Sequence, residues 1–399
     1  MRINYWVNTC CSPIPIACIV ACIITVAGCG QQKVDEVDQA HHAEQELEAM
    51  SLIVGTYTSA NADGTVSTSE GAYSLPFDGS PGLVEPRLVT AIENPSFAAV
   101  DSRTNRIYVV SETQAGQVAA YQVSNGAEWD LINTVSSMGT YPCYVSLSPG
   151  GRQLAVANYG TGNIAVYNIN RSTGELTGQP QVRQHSGTGP NASRQEGPHA
   201  HWVEWSRDGR FVYVVDLGID QVIAYPVDPQ SGELGSGFTA MATTPGAGPR
   251  HMVFHPSKAF AYMLTELNNT VVMASVQADG RLVAMQTVDT LPEDFDKHSQ
   301  AAHIAINEQG TSLYASNRGH NSIAVFDVAE DGYLQRVQLV GTEGDWPRHF
   351  ALLSESLLVA NQNSHNLVAF NIDKAGLLSL RGEYAQVSQP VYVGPLVNN

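Results

Sequence analysis

The sequence predicts an all-β fold, a seven-bladed β-propeller with four antiparallel strands per blade, and three observations carry that prediction. A sixteen-residue frame recurs, its ends falling on Ser96/Glu112, Cys143/Tyr159, His201/Leu217, Arg250/Glu266 and Ala302/Arg318, with a shortened sixth copy from Arg348 to Gln362. Each frame encloses a β-rich run, a turn such as SPGG, SRDG or NEQG, and a second run such as LAVAN, VYVVD or LYASN. Apolar residues alternate every second position between clusters of Gly, Asp, Asn and Ser, which is the period of a strand and not of a helix.

The N-terminus precedes that frame and has another character. Arg2 is the only charged side chain ahead of an uncharged run through Ile14, Ile16, Ile19, Val20, Ile23 and Ile24, which ends in Val26-Ala27-Gly28-Cys29. A short apolar stretch bounded by small residues has the pattern of an export signal and resembles a bacterial lipobox. Pro15 and the modest length argue against a membrane-spanning helix. Residues 1–28 are therefore expected to be a lipoprotein signal peptide, with Cys29 the lipidated N-terminus of the mature chain. Residues 29–50, acidic and free of aromatics, read as a tether. The expected location is the bacterial cell envelope, at the outer membrane in a Gram-negative cell, with a periplasmic or secreted protein as the alternative. The lipid is then the only membrane contact.

The repeat starts fall near Asn94, Tyr141, Pro198, Pro249, Gln300 and Pro347, spacings close to the roughly 40–50 residues of a propeller blade. Turns at Ser172 (STGEL), Gln230 (QSGEL) and Glu330 (EDGYL) link the third and fourth strands of a unit. Six complete units leave both ends over. The opening LIVGTYT, GAYSLPFD and GLVEPRLVTA lack a first strand, and the closing PVYVGPLV is a first strand without followers. Joined, they make a seventh blade across residues 51–399 and close the ring, which removes the free sheet edges.

Composition bounds the partners. The chain has 399 residues, 43% of them hydrophobic, and a formal net charge of −18. Such a surface disfavours nucleic acid and the anionic face of a bilayer. An anionic ligand would need a local arginine cluster to overcome that field. Of the six cysteines, four lie in the signal, Cys29 is taken by lipid and Cys143 is left alone. Neither a disulfide framework nor a zinc quartet can then form in the mature chain.

In a propeller the first strand of each blade lines the central channel. The two ends of the recurring frame consequently gather around one mouth, where this chain has His201, Arg250, Glu266, Arg318, Glu112, Arg348 and Gln362, with His199 alongside. That set suits the addition of water to the ester carbonyl of an anionic substrate. An imidazole or carboxylate activates the water, and guanidiniums hold the substrate charge and the developing oxyanion.

The same segments carry a family resemblance. GPHAHWVEWSRDGRFVYVVDLGID (197–220), GPRHMVFHP (248–256), MLTELNN (263–269), LYASNRGHNSIAVF (313–326) and the opening VGTYT are similar to the seven-bladed lactonase propellers. That family includes the propeller-type 6-phosphogluconolactonases and the fungal carboxymuconate-cyclising enzymes. By position, the resemblance implies that His201, Arg250, Glu266 and Arg318 are the catalytic set; the rim read from the repeating frame adds Arg348, Glu112, His199 and Gln362 as substrate-binding residues. It implies no metal and no cofactor, and a small anionic lactone as substrate. His303 departs from the family pattern, which often has an acidic residue there. Two other readings stand beside this one: a lipid-anchored propeller that binds a protein or glycan without catalysis, and a cycloisomerase of the carboxymuconate type.

Overall fold

The computed structural model describes residues 50–59, 66–78, 82–124 and 128–396. The signal, the lipidated Cys29 and the tether expected from the sequence lie outside these residues. Within them, 28 strands form seven four-stranded antiparallel sheets. The inner strands of blades 1 to 6 are Ala98–Asp101, Pro142–Leu147, Ala200–Trp205, Pro249–Phe254, Gln300–Ile306 and Pro347–Leu353. Blade 7 takes its inner strand, Pro390–Leu396, from the C-terminus and its other three, beginning with Met50–Thr56, from the N-terminus. Ser51 to Gly55 pair in unbroken register with Leu396 to Tyr392, and the ring closes there as expected.

The sequence forms blades because its alternating apolar residues are buried on both faces of each sheet. Second strands such as Arg106–Ser111, Gln153–Asn158 and Ser356–Asn361 are buried at every position. The fourth strands, such as Glu128–Ser136, carry the solvent alternation. Neighbouring blades are also tied at fixed positions. Buried tyrosines on the second strand donate to a glycine carbonyl in the outer turn of the next blade: Tyr108 to Gly174, Tyr213 to Gly280, Tyr262 to Gly332 and Tyr314 to Gly376. Asn158, Asn317 and Asn361, at or next to the ends of second strands, donate to backbone carbonyls behind the preceding blade, at Ser137, Thr290 and Thr342. These bonds run between blades.

One irregularity sets the geometry of the channel mouth. In blade 2 Pro142 pairs with Asn158 and Tyr144 with Ala157, which leaves Cys143 bulged out of the ladder. The same bulge falls on His201, Arg250 and Arg348 in blades 3, 4 and 6. In blade 5 it spans Ala302 and His303. A bulge re-aims the side chain it carries and bends the strand. From the second frame to the sixth, the variable residue that starts the frame is thus the residue released from pairing at the channel mouth.

Candidate active site

The second end of each frame is equally well defined. Glu112, Tyr159, Leu217, Glu266 and Gln362 each follow the last residue of a second strand, and Arg318 is the last residue of its own. Bulge and strand end are neighbours, so residues far apart in sequence meet at one rim. Arg250 donates from Nε to Glu266 Oε2 at 3.1 Å, and Arg318 Nη2 lies 2.9 Å from the same oxygen. All three side chains are almost fully buried. Arg250 also donates to the Ala302 carbonyl, and Arg318 to the carbonyls of Gln300 and Ala301. Trp346 lies under the Arg318 guanidinium, 5.4 Å from ring centroid to Cζ.

Two residues of this site were not among those read from the sequence. Arg194, in the long connection between blades 2 and 3, donates to Glu266 Oε1 at 2.5 Å and to the Tyr159 hydroxyl at 3.3 Å. Tyr57, in the opening VGTYT, donates to Glu112 Oε1 at 3.0 Å and accepts from Arg348 at 2.7 Å. Tyr57 sat in a quoted motif, so its signal was present. Arg194 lies outside the repeating frame, where position carried no information.

The rim is electrostatically one unit. Burial opposes ionisation of Glu266, but Arg318, Arg194 and Arg250 outweigh it and hold the carboxyl well below its ordinary range. His201 is pushed the other way: burial, then Arg250, hold its imidazole neutral well below 6.5. Burial and the neighbouring Arg318 and Arg348 lower Arg250 to about 9, which leaves it cationic at neutral pH. Burial likewise lowers Arg348, but Tyr57, Glu112 and Glu266 raise it further than that. Within this network four guanidiniums face two carboxylates, Glu266 and Glu112. The excess is positive, inside a chain whose net charge is −18.

The other expected residues take lesser places. His199 is buried, stacks on Tyr159 with centroids 4.4 Å apart, and contacts the Tyr159 carbonyl through Nδ1. Gln362 is buried at the rim, its backbone N–H bonded to the Trp346 carbonyl. Cys143 is a packed thiol, 3.6 Å from His201 Nδ1, with its pKa raised by burial.

Below the rim the channel is closed by a hexagon of rings. Successive centroids are 4.0 Å apart for Phe97 and Tyr144, 5.2 Å for Tyr144 and His251, and 5.4 Å for His251 and His303. The circuit continues at 3.8 Å for His303 and His349, 4.8 Å for His349 and Tyr392, and 4.7 Å from Tyr392 back to Phe97. The rim is therefore a cup with an aromatic floor, and the part-exposed Arg194 marks its solvent side.

A seven-bladed propeller whose channel mouth gathers arginines, a paired glutamate and a neutral histidine has the architecture of a small-molecule enzyme. The comparisons make this specific: residues 51–395 match the family model for lactonase, 7-bladed beta-propeller, and the chain belongs to that family. It is an enzyme of the lactonase class. It is 37% identical over 349 residues to a 6-phosphogluconolactonase of Bacillus subtilis, covering 85% of this chain and 96% of that one. A periplasmic gluconolactonase of Pseudomonas aeruginosa superposes with a TM-score of 0.78 at 31% identity, covering 86% of this chain and 98% of the other. A putative 6-phosphogluconolactonase of Bacteroides fragilis gives 0.78 at 30%, covering 88% and 98%.

Proposed function

We propose that the rim opens a sugar-acid lactone of the 6-phosphogluconolactonase-like type, with His201 as the base. The observation that carries this reading is the contrast between His201 and Glu266. Glu266 is ionised and held by three guanidiniums, so it is a poor proton acceptor. Its role is to fix Arg250 and Arg318. His201 is neutral beside them, its imidazole in the base form. Water adds to the lactone carbonyl as its proton passes to His201. Arg250 and Arg318 hold the oxyanion, the ring C–O bond breaks, and His201 returns the proton to the departing alkoxide. Arg194 and Arg348 bind the carboxylate or phosphate of the substrate, with Glu112, His199 and Gln362 completing the wall.

The reaction needs no metal in this scheme, and a chelator is expected to leave the rate unchanged. Purified protein should open a panel of lactones, and His201→Ala or Arg250→Ala should lower kcat/KM by about 100-fold or more. Unchanged rates in both variants would reject the assignment. Export by a lipoprotein signal, with Cys29 as the anchor, belongs to the same proposal and is supported by the periplasmic relative. Cys29→Ser should move the protein from the membrane fraction into the soluble one. That location favours gluconolactone-type substrates over phosphorylated ones, and paired assays with and without phosphate decide between them.

A further inference from the structure

The inner strands run away from the rim, and the far end of the channel has a chemistry of its own. Glu204 lies three residues beyond His201 on one strand, roughly 10 Å down the axis at ~3.3 Å per residue. There, behind the floor of rings, is a cavity of 260 Å³. Its lining is largely apolar and aromatic, with Trp202, Tyr144, Phe254 and Ile304, and it also includes Glu204, His251 and His303. The rings adjoin, with Trp202 6.0 Å from Tyr144 and 6.3 Å from Phe254.

No arginine or lysine is among the described residues that line this cavity. The Trp205 backbone N–H donates to Glu204 Oε1 at 3.2 Å, and none of the ion pairs among the described residues involves Glu204. Burial accordingly raises the carboxyl to about 8. The lactone chemistry at the opposite mouth does not use this group. Glu204 is half-buried; a carboxyl partly withdrawn from water without a counterion is costly when ionised, and aromatic faces attract cations within about 6 Å. An anion would meet repulsion here, and a neutral ligand would leave the carboxyl unpaired.

We infer that this cavity is a binding site for a small organic ammonium ion, its charged head against Glu204 and its hydrocarbon body among Trp202, Tyr144 and Phe254. The remaining titratable groups facing Glu204 hold still near neutrality. Burial and Arg250 keep His251 well below 6.5, burial keeps His303 at about 3, and burial keeps Tyr144 well above 10. Between pH 6.5 and 8.5 Glu204 alone changes charge at the site.

The test is calorimetric titration of the full-length protein with 2-phenylethylammonium, 2-phenylethanol and phenylacetate, three probes of one shape and different charge. The ammonium should bind saturably and at least about tenfold more tightly than the alcohol at pH 8.5, with phenylacetate weakest. Lowering the pH to 6.5 should weaken the ammonium about 25-fold, the fall in the ionised fraction of a group titrating near 8. Glu204→Gln, an isostere of the protonated acid, should keep its thermal midpoint and lose the preference for ammonium over alcohol. Equal binding of the three probes, absence of saturable ammonium binding at millimolar concentration, or an unchanged preference in Glu204→Gln would each overturn the inference.

Discussion

Glu266 shows how one residue can organise a site without reacting in it. Its two oxygens hold three guanidiniums, so removing its charge leaves a buried cluster of like charges. Glu266→Gln is expected to cost about 3–5 kcal/mol of stability, the range for breaking a buried ion pair from one side, and denaturant titration measures it. Arg194 differs from its neighbours in being 28% exposed, at the solvent side of the cup. Arg194→Ala should raise KM about tenfold for an anionic lactone and leave a neutral one unchanged, which steady-state assays on the two substrates resolve. His201 sets the pH dependence. Its base form is neutral imidazole, and burial with Arg250 holds its pKa well below 6.5. The acid limb of kcat/KM must then lie below 6.5, and a limb centred at 6.5 or above would remove His201 from the role.

At the level of elements, the repeating frame exposed the fold because each blade solves the same packing problem with the same residues. The tyrosines and turn glycines recur for that reason. Gly332 shows it: a φ of +87° suits glycine, and the turn it makes offers its carbonyl to Tyr262. Tyr262→Phe should cost about 1 kcal/mol, the net worth of a typical hydrogen bond, read as a shift in the urea midpoint without a change in slope. The site was legible where it coincided with the frame. Cys143, His201, Arg250 and Arg348 are bulge residues at matching positions, and a bulge is a local feature that repeats with its strand. Arg194 was hidden because its place depends on how a long loop folds back over the rim, which no period encodes. The ring floor was hidden for a different reason. His251 and His349 follow ordinary strand alternation while His303 sits in a bulge, and only the packing of successive blades brings them into contact.

Closure gives the whole molecule a collective response to acid. His201, His251, His303 and His349 come from four blades and cluster at the axis, three of them buried and His303 half-buried, and all four have lowered pKa values. Burial is the leading cause in each case; Arg250 follows for His201, His251 and His303, and His303 follows for His349. In the unfolded chain each returns to about 6.5. As pH falls through 6.5 the unfolded state therefore takes up protons that the native state refuses, and stability drops. The loss begins near 6.5 and continues downward until each native group protonates, which for His303 is at about 3. Every such histidine contributes up to about 1.4 kcal/mol per pH unit, so the four give a limiting slope of about 5. Urea midpoints should be level from pH 8 to 7 and fall steeply from 6 to 5. His303→Phe keeps a ring in the floor and removes one of the four titrations, so its slope should be smaller by about 1.4 kcal/mol per pH unit. A slope equal to that of the unsubstituted protein would mean that the floor histidines protonate in the folded state, and that the ring does not hold them neutral.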